Sequence, residues 1–161
     1  MANNTGVFFN INDNDGIPLV GVSTDGRVFL DPFYGNVGVG VTNPSTKVQI
    51  ENYGISTKSS YFNASVGIST DIDSFTISST DFKTLEYTLH FQNGSNIQSQ
   101  KVLVMQNGSS AYLEEYAIMY EPNQIVSIGA TISSGNCKLQ VTPETGISGL
   151  TTYKFVRNSL L

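Results

Sequence analysis

Residues Thr84 to Phe91 alternate without a break, with Leu85, Tyr87, Leu89 and Phe91 at every second position and polar residues between them. A period of two gathers those four side chains on one face of a strand, and a helix would scatter them. Similar runs follow at 101–106, 112–120, 125–132, 137–142 and 150–156. They are separated by Asn93-Gly94, Asn107-Gly108, Pro122-Asn123, Ser134-Gly135-Asn136 and Pro143-Glu144-Thr145-Gly146. With Ser74 to Ser79 they make about seven strands, at the spacing of an antiparallel sandwich or barrel. No window carries a 3.6-residue period. The expectation is an all-β chain, with residues 61–161 forming an antiparallel, jelly-roll-like β-sandwich.

Residues 1–60 read differently, as short apolar runs punctuated by glycine. Val20 to Thr24 and Arg27 to Leu30 flank Asp25-Gly26, a strong hairpin signal because both central residues of such a turn need positive φ. Echoes of the first run recur at Tyr53 to Thr57 and Val66 to Thr70, too irregularly for a solenoid. In Val37-Gly38-Val39-Gly40-Val41 the glycines leave side chains on one face alone, so the three valines are expected to point the same way. Val48 and Ile50 follow after a turn at Asn43-Pro44. Sixty residues hold little core, and the simplest remedy is other copies of the chain packing their valine faces around a shared axis. Val37, Val39, Val41, Val48 and Ile50 are therefore the candidate assembly interface, within a β-rich assembly or docking region.

Composition narrows the function. Thirteen acidic and eight basic residues give the 161-residue chain a net charge of −5, which argues against a non-specific nucleic-acid binder. Charged residues make up 13%, about half the usual share. The single cysteine, Cys137, can form no internal disulfide or cysteine metal cluster and alternates with Leu139 and Val141 as an expected core residue. Met1 to Thr5 lacks a basic leader, and no apolar run reaches the ~18 residues of a membrane helix. The expectation is a chain made in the cytoplasm, without membrane insertion.

Signatures of chemistry are thin. Asn12 to Gly16 resembles a calcium loop, but aligning Gly16 with the loop glycine puts Ile11 and Val22 where carboxylates are needed. Gly38-x-Gly40 lacks the third glycine and the helix of a dinucleotide fingerprint. His90 is the only histidine, and a carboxylate pair would have to come from Glu86, Glu114, Glu115, Glu121 and Glu144. No catalytic residue, cofactor or metal is expected. Tyr112, Tyr116 and Tyr120 recur at even spacing and are expected on one strand face. There they would serve a sandwich core, a subunit interface or a platform for sugar rings.

The segment Gly35-Asn36-Val37-Gly38-Val39-Gly40-Val41-Thr42-Asn43-Pro44-Ser45-Thr46-Lys47-Val48 resembles the Gly-Asn-Val-Gly-Ile-Gly-Thr-Thr-x-Pro-x-x-Lys-Leu segment of bacteriophage tail-fibre and related virion proteins. Val39, Val41 and Val48 replace the commoner Ile, Thr and Leu. The stretches Ile97 to Leu103 and Pro143 to Tyr153 are similar to terminal modules of cyanophage structural proteins. The resemblance implies a virion component, usually homotrimeric and in contact with other virion proteins, with no catalytic residues to transfer. At 161 residues the chain is not expected to form a long fibre by itself. A short fibre or a tail or baseplate component, displaying the sandwich towards host surface polysaccharide, fits its length. A capsid decoration protein fits equally, and a free carbohydrate-binding module is a more distant alternative.

Overall fold

The computed structural model describes residues 7–12, 15, 18–24, 27–30, 35–77 and 82–160, and these carry thirteen strands. Met1–Glu51 and Asn52–Leu161 form two compact units.

In the first unit, β1 (Val7–Asn12), β2 (Pro18–Ser23) and β3 (Val28–Leu30) form an antiparallel sheet in that order. The hairpin expected around Asp25-Gly26 is the β2–β3 pair, with Val20 opposite Leu30 and Val22 opposite Val28. Asp25 and Gly26 lie outside the described residues, as do Asp13, Asn14 and Gly16 of the calcium-loop look-alike. β4 (Val37–Val39) and β5 (Val48–Ile50) pair in parallel, Val37 beside Val48 and Val39 beside Ile50.

The second unit holds β6 (Tyr53–Ala64), β7 (Thr70–Thr76), β8 (Thr84–Asn93), β9 (Asn96–Gln106), β10 (Ala111–Glu121), β11 (Val126–Ser133), β12 (Asn136–Pro143) and β13 (Gly149–Leu160). Five of these make an antiparallel sheet in the order β10-β9-β8-β13-β6, and β11-β12-β7 make a second. Leu85, Tyr87, Leu89 and Phe91 all point into the core, as their alternation requires, beside Val102, Val104, Tyr153 and Phe155. Ile72, Val126, Cys137, Leu139 and Val141 complete the core from the other sheet. Each such side chain contributes about 2 kcal/mol by leaving water, and Tyr87 meets Phe155 edge-on at 5.5 Å. The architecture is an all-β sandwich.

Six of the expected strands of this unit are present, most of them longer than the sequence pattern suggests, while the one expected at Ser74–Ser79 is displaced to β7 at Thr70–Thr76, and residues 78 and 79 lie outside the described residues. β6 is the addition. Its middle, Thr57-Lys58-Ser59-Ser60, has no apolar alternation, and it is held by pairing with β13 from Tyr53 opposite Leu160 to Ala64 opposite Gly149. Residues 60 and 61 both lie inside this strand.

Candidate assembly face and sheet surface

The resemblance to virion proteins falls on a tight arch. Parallel strands ordinarily need a crossover of a dozen or more residues, yet only residues 40–47 join β4 to β5. Side chains substitute for the missing structure. Gln49 turns inward, its Oε1 accepting from Ser45 N at 2.8 Å while its Nε2 donates to the Glu51 carbonyl at 2.9 Å. Asn36 Nδ2 donates to the Pro44 carbonyl at 2.8 Å, and Thr46 Oγ1 to that of Val48 at 2.8 Å. The glycines are required by shape. A Cβ on Gly38 would lie 2.5 Å from the Val41 carbonyl oxygen, and Gly40 has a φ of +73°.

This geometry sorts the five candidate residues. With Gln49 turned in, Val48 and Ile50 point to the opposite side, and parallel register sets them beside Val37 and Val39. Val39 is 55% exposed and Ile50 48% exposed. Val41 does not join them, which corrects the expectation of three aligned valines. The chain turns at Gly40, and Val41 folds back over Gly38, on the other side of the strand.

The tyrosine stripe is also interrupted. Tyr112 pairs with Met105 and Tyr116 with Lys101, both on the outward face of the five-stranded sheet. Ala117 then adopts a φ of +53°, and a bulge shifts the register so that Met119 pairs with Ser99 and Tyr120 with the inward Gln98. Tyr112 and Tyr116 thus share a face, and Tyr120 follows the opposite set.

On that outward face Thr57, Ser59, Thr88, His90, Lys154 and Val156 border a shallow trough of about 470 Å³. His90 Nδ1 lies 2.8 Å from Ser99 Oγ. Lys101 Nζ donates to Glu86 Oε1 at 2.7 Å, a hydrogen bond that raises the lysine pKa. Glu114 lies in the same cross-strand row as Glu86, with Leu103 between them. Glu115 belongs to the inward set and accepts from Gln100 Nε2 at 2.6 Å, while Glu144 sits in the turn after β12. Glu121, opposite Ile97, lies on the outward face, so the five acids are spread over two faces and a turn. Among the described residues, no three His, Cys, Asp or Glu side chains cluster as metal ligands.

Polar groups inside the sandwich were not legible as a set. Arg157 Nη1 donates to Asp73 Oδ2 at 2.7 Å, and Tyr87 Oη donates to the same oxygen at 2.9 Å. Burial, then the charge of Asp73, pushes the Tyr87 pKa well above its ordinary value. Lys58 Nζ and Tyr153 Oη both donate to the Ile72 carbonyl, at 2.7 and 3.2 Å. Gln98, 1% exposed, receives Ile125 N at 2.6 Å and Val126 N at 2.9 Å on Oε1 and donates to the Val126 carbonyl at 2.8 Å. The available signal was alternation: Arg157 falls in step with Tyr153 and Phe155, and Gln98 with Val102 and Val104. Cys137 is buried, which raises its thiol pKa.

The fold and its surfaces define a β-sandwich protein with an exposed apolar arch. No protein-family model matches the chain, and no curated protein does. Among solved structures it is similar to the tailspike protein of Acinetobacter baumannii phage AM24, with a TM-score of 0.47 and 9% identity over 68% of this chain and 26% of that one. It is also similar to the tailspike protein of Acinetobacter phage vB_ApiP_P1, with a TM-score of 0.46 and 19% identity over 79% of this chain and 24% of that one. The chain spans about a quarter of the length of either.

Proposed function

We propose that this chain is a non-enzymatic structural protein of a phage virion, a homotrimeric short fibre or a tail- or baseplate-associated component. One observation carries the reading. The segment that resembles virion proteins folds into an arch whose outer row, Val37, Val39, Val48 and Ile50, is apolar, with Val37 half-buried and the other three exposed. An apolar row built on so small a strand pair favours a partner, and copies of the same arch around an axis would cover it. The unit Met1–Glu51 would assemble or dock, and the unit Asn52–Leu161 would be displayed outward towards host surface polysaccharide. The chain would be assembled in the host cytoplasm and would reside in the virion beside other virion proteins.

Capsid decoration is the second reading, since the same arch would serve a lattice contact. Labelling purified particles with gold-tagged antibody against this chain tests both. Gold at the tail supports the fibre or baseplate reading and gold on the head supports decoration. Particles without the chain would reject a virion role. Tyr112, 52% exposed, and Tyr116 favour a carbohydrate-contacting face as the more distant reading. Tyr116→Ala should then abolish binding to host polysaccharide.

A further inference from the structure

Three hydroxyls, an imidazole and an ammonium group line one cavity on the outward face of the five-stranded sheet. Thr57, Val156 and Thr88 form one cross-strand row there, and Ser59, Lys154 and His90 form the next. Together they border the trough of about 470 Å³, a volume within the ~300–1,000 Å³ of ligand sites. We infer that the trough binds an acidic sugar unit, with Lys154 donating to its anionic group. The inference rests on the polysaccharide-facing reading of this unit and names the class of sugar taken.

The polar groups of the trough are unspent. Of the eight basic residues, Lys154 is the one that no hydrogen bond or ion pair engages among the described residues. Lys58 also borders the trough, but its Nζ turns inward to the Ile72 carbonyl. The Thr57, Ser59 and Thr88 hydroxyls likewise have no partner among the described residues, and His90 spends only Nδ1, on Ser99 Oγ. The outward face of the other sheet is the contrast. There Asp71 accepts from Lys138 Nζ and Gln140 Nε2, both at 2.7 Å, and Ser69 Oγ lies 2.7 Å from Thr142 Oγ1. That face satisfies itself, whereas the trough gathers free donors and acceptors around one volume.

These groups match a sugar ring. Side-chain hydroxyls donate and accept, as sugar hydroxyls do, and the exposed Val156 offers an apolar contact for ring C–H groups. Tyr116, in the row of Thr88 beyond Lys101, offers an aromatic face for a neighbouring unit. Charge selects an acidic sugar. The face carries Lys101 and Lys154 against Glu86, Glu114 and Glu121. Glu86 is hydrogen-bonded to Lys101, however, and the other two acids lie on β10, three strands from Lys154. That is roughly 14 Å or more. The charge within the trough is therefore that of Lys154, and an anionic group there gains a charge-assisted hydrogen bond.

Titration calorimetry on the full chain tests this. The probes are polygalacturonate and alginate, two uronate polymers of different ring stereochemistry, each beside its carboxyl ester, with polyacrylate as an acid without rings. At least one uronate polymer should bind, and its ester and polyacrylate should bind at least about tenfold more weakly, or about 1.4 kcal/mol. Lys154→Ala should weaken uronate binding by a similar factor, Lys154→Arg should restore most of it, and Lys138→Ala, on the other sheet, should bind as wild type. Thr88→Glu should abolish binding with the β spectrum retained. Absence of uronate binding, equal binding of the ester or of polyacrylate, or wild-type affinity in Lys154→Ala would each overturn the inference. Host-polysaccharide binding lost in Tyr116→Ala but kept in Lys154→Ala would overturn this site and leave the displayed-sandwich reading standing. Particles without the chain would reject the virion role, whereas selective uronate binding by the isolated chain supports the trough whatever the particles show.

Discussion

Arg157 and Asp73 meet at 2.7 Å between the two sheets of the sandwich, with side chains only 9% and 13% exposed. The aspartate comes from β7 and the arginine from β13, so the pair ties together strands that share no backbone ladder. Tyr87 Oη donates to the same carboxylate oxygen, Ser56 Oγ accepts from Arg157 Nη2 at 3.3 Å, and the guanidinium stacks 5.3 Å from the Phe75 ring. Breaking such a pair leaves an uncompensated charge inside. Asp73→Leu should destabilise the protein by about 3 kcal/mol in urea unfolding, and adding Arg157→Met should recover much of that loss. A double variant no more stable than Asp73→Leu would show that the pair itself supplies the stability.

The tyrosine in this cluster gives the sandwich an alkaline limit. Tyr87 holds its proton in the folded state far above the ordinary tyrosine value near 10. Below pH 10 both states keep that proton and stability is flat with respect to this group. Above pH 10 the unfolded chain releases it first, so stability falls by up to about 1.4 kcal/mol per pH unit. Tyr87→Phe should cost about 1 kcal/mol at pH 7 through the lost bond to Asp73 and should flatten the decline between pH 10 and 11. Urea titrations across that range measure both effects, and an equally steep fall in the variant would remove Tyr87 as its cause.

Gln98 acts as a fragment of strand. Its amide offers an acceptor to Ile125 N and Val126 N and a donor to the Val126 carbonyl, closing the entry to β11 with a side chain. Leucine fits the neighbouring core but leaves two buried N–H groups unanswered. Gln98→Leu should destabilise by about 2 kcal/mol or more, and hydrogen exchange at Ile125 and Val126 should speed up ahead of β8. Unchanged protection at those two amides would mean that the backbone finds other partners.

These buried polar groups mark where the sequence stopped being informative. The inner face of β8 was legible because Leu85 to Phe91 carry a local period, and the turn dipeptides bounded most neighbours. The arch at 35–51 was legible as a motif but not as a shape. Strict alternation predicts three aligned valines, whereas the positive φ of Gly40 and the approach of the Val41 carbonyl to Gly38 reverse the chain after two. Tyr120 was misplaced for a related reason, since one residue, Ala117, leaves the β region and shifts the register behind it. The Arg157–Asp73 pair spans 84 positions of sequence, and no local pattern announces a contact of that kind.

The arch makes a prediction that separates residues two positions apart. Val39 stands in the exposed row with Val37, Val48 and Ile50, while Val41 lies against Gly38 on the other side. If that row joins copies of the chain, a charge within it must lose its water on assembly or prevent assembly. Val39→Asp should therefore raise the dissociation constant by about 100-fold or more, some 2.7 kcal/mol, with the β spectrum retained. Val39→Thr should weaken assembly more modestly. Val41→Thr, which introduces the residue at that position of the virion segment it resembles, should leave it unchanged. Sedimentation velocity on the three variants at matched concentration reads the difference. Equal behaviour of Val39→Thr and Val41→Thr would place the contact elsewhere on the molecule, and a Val39→Asp protein that still assembles would remove the arch from the interface altogether.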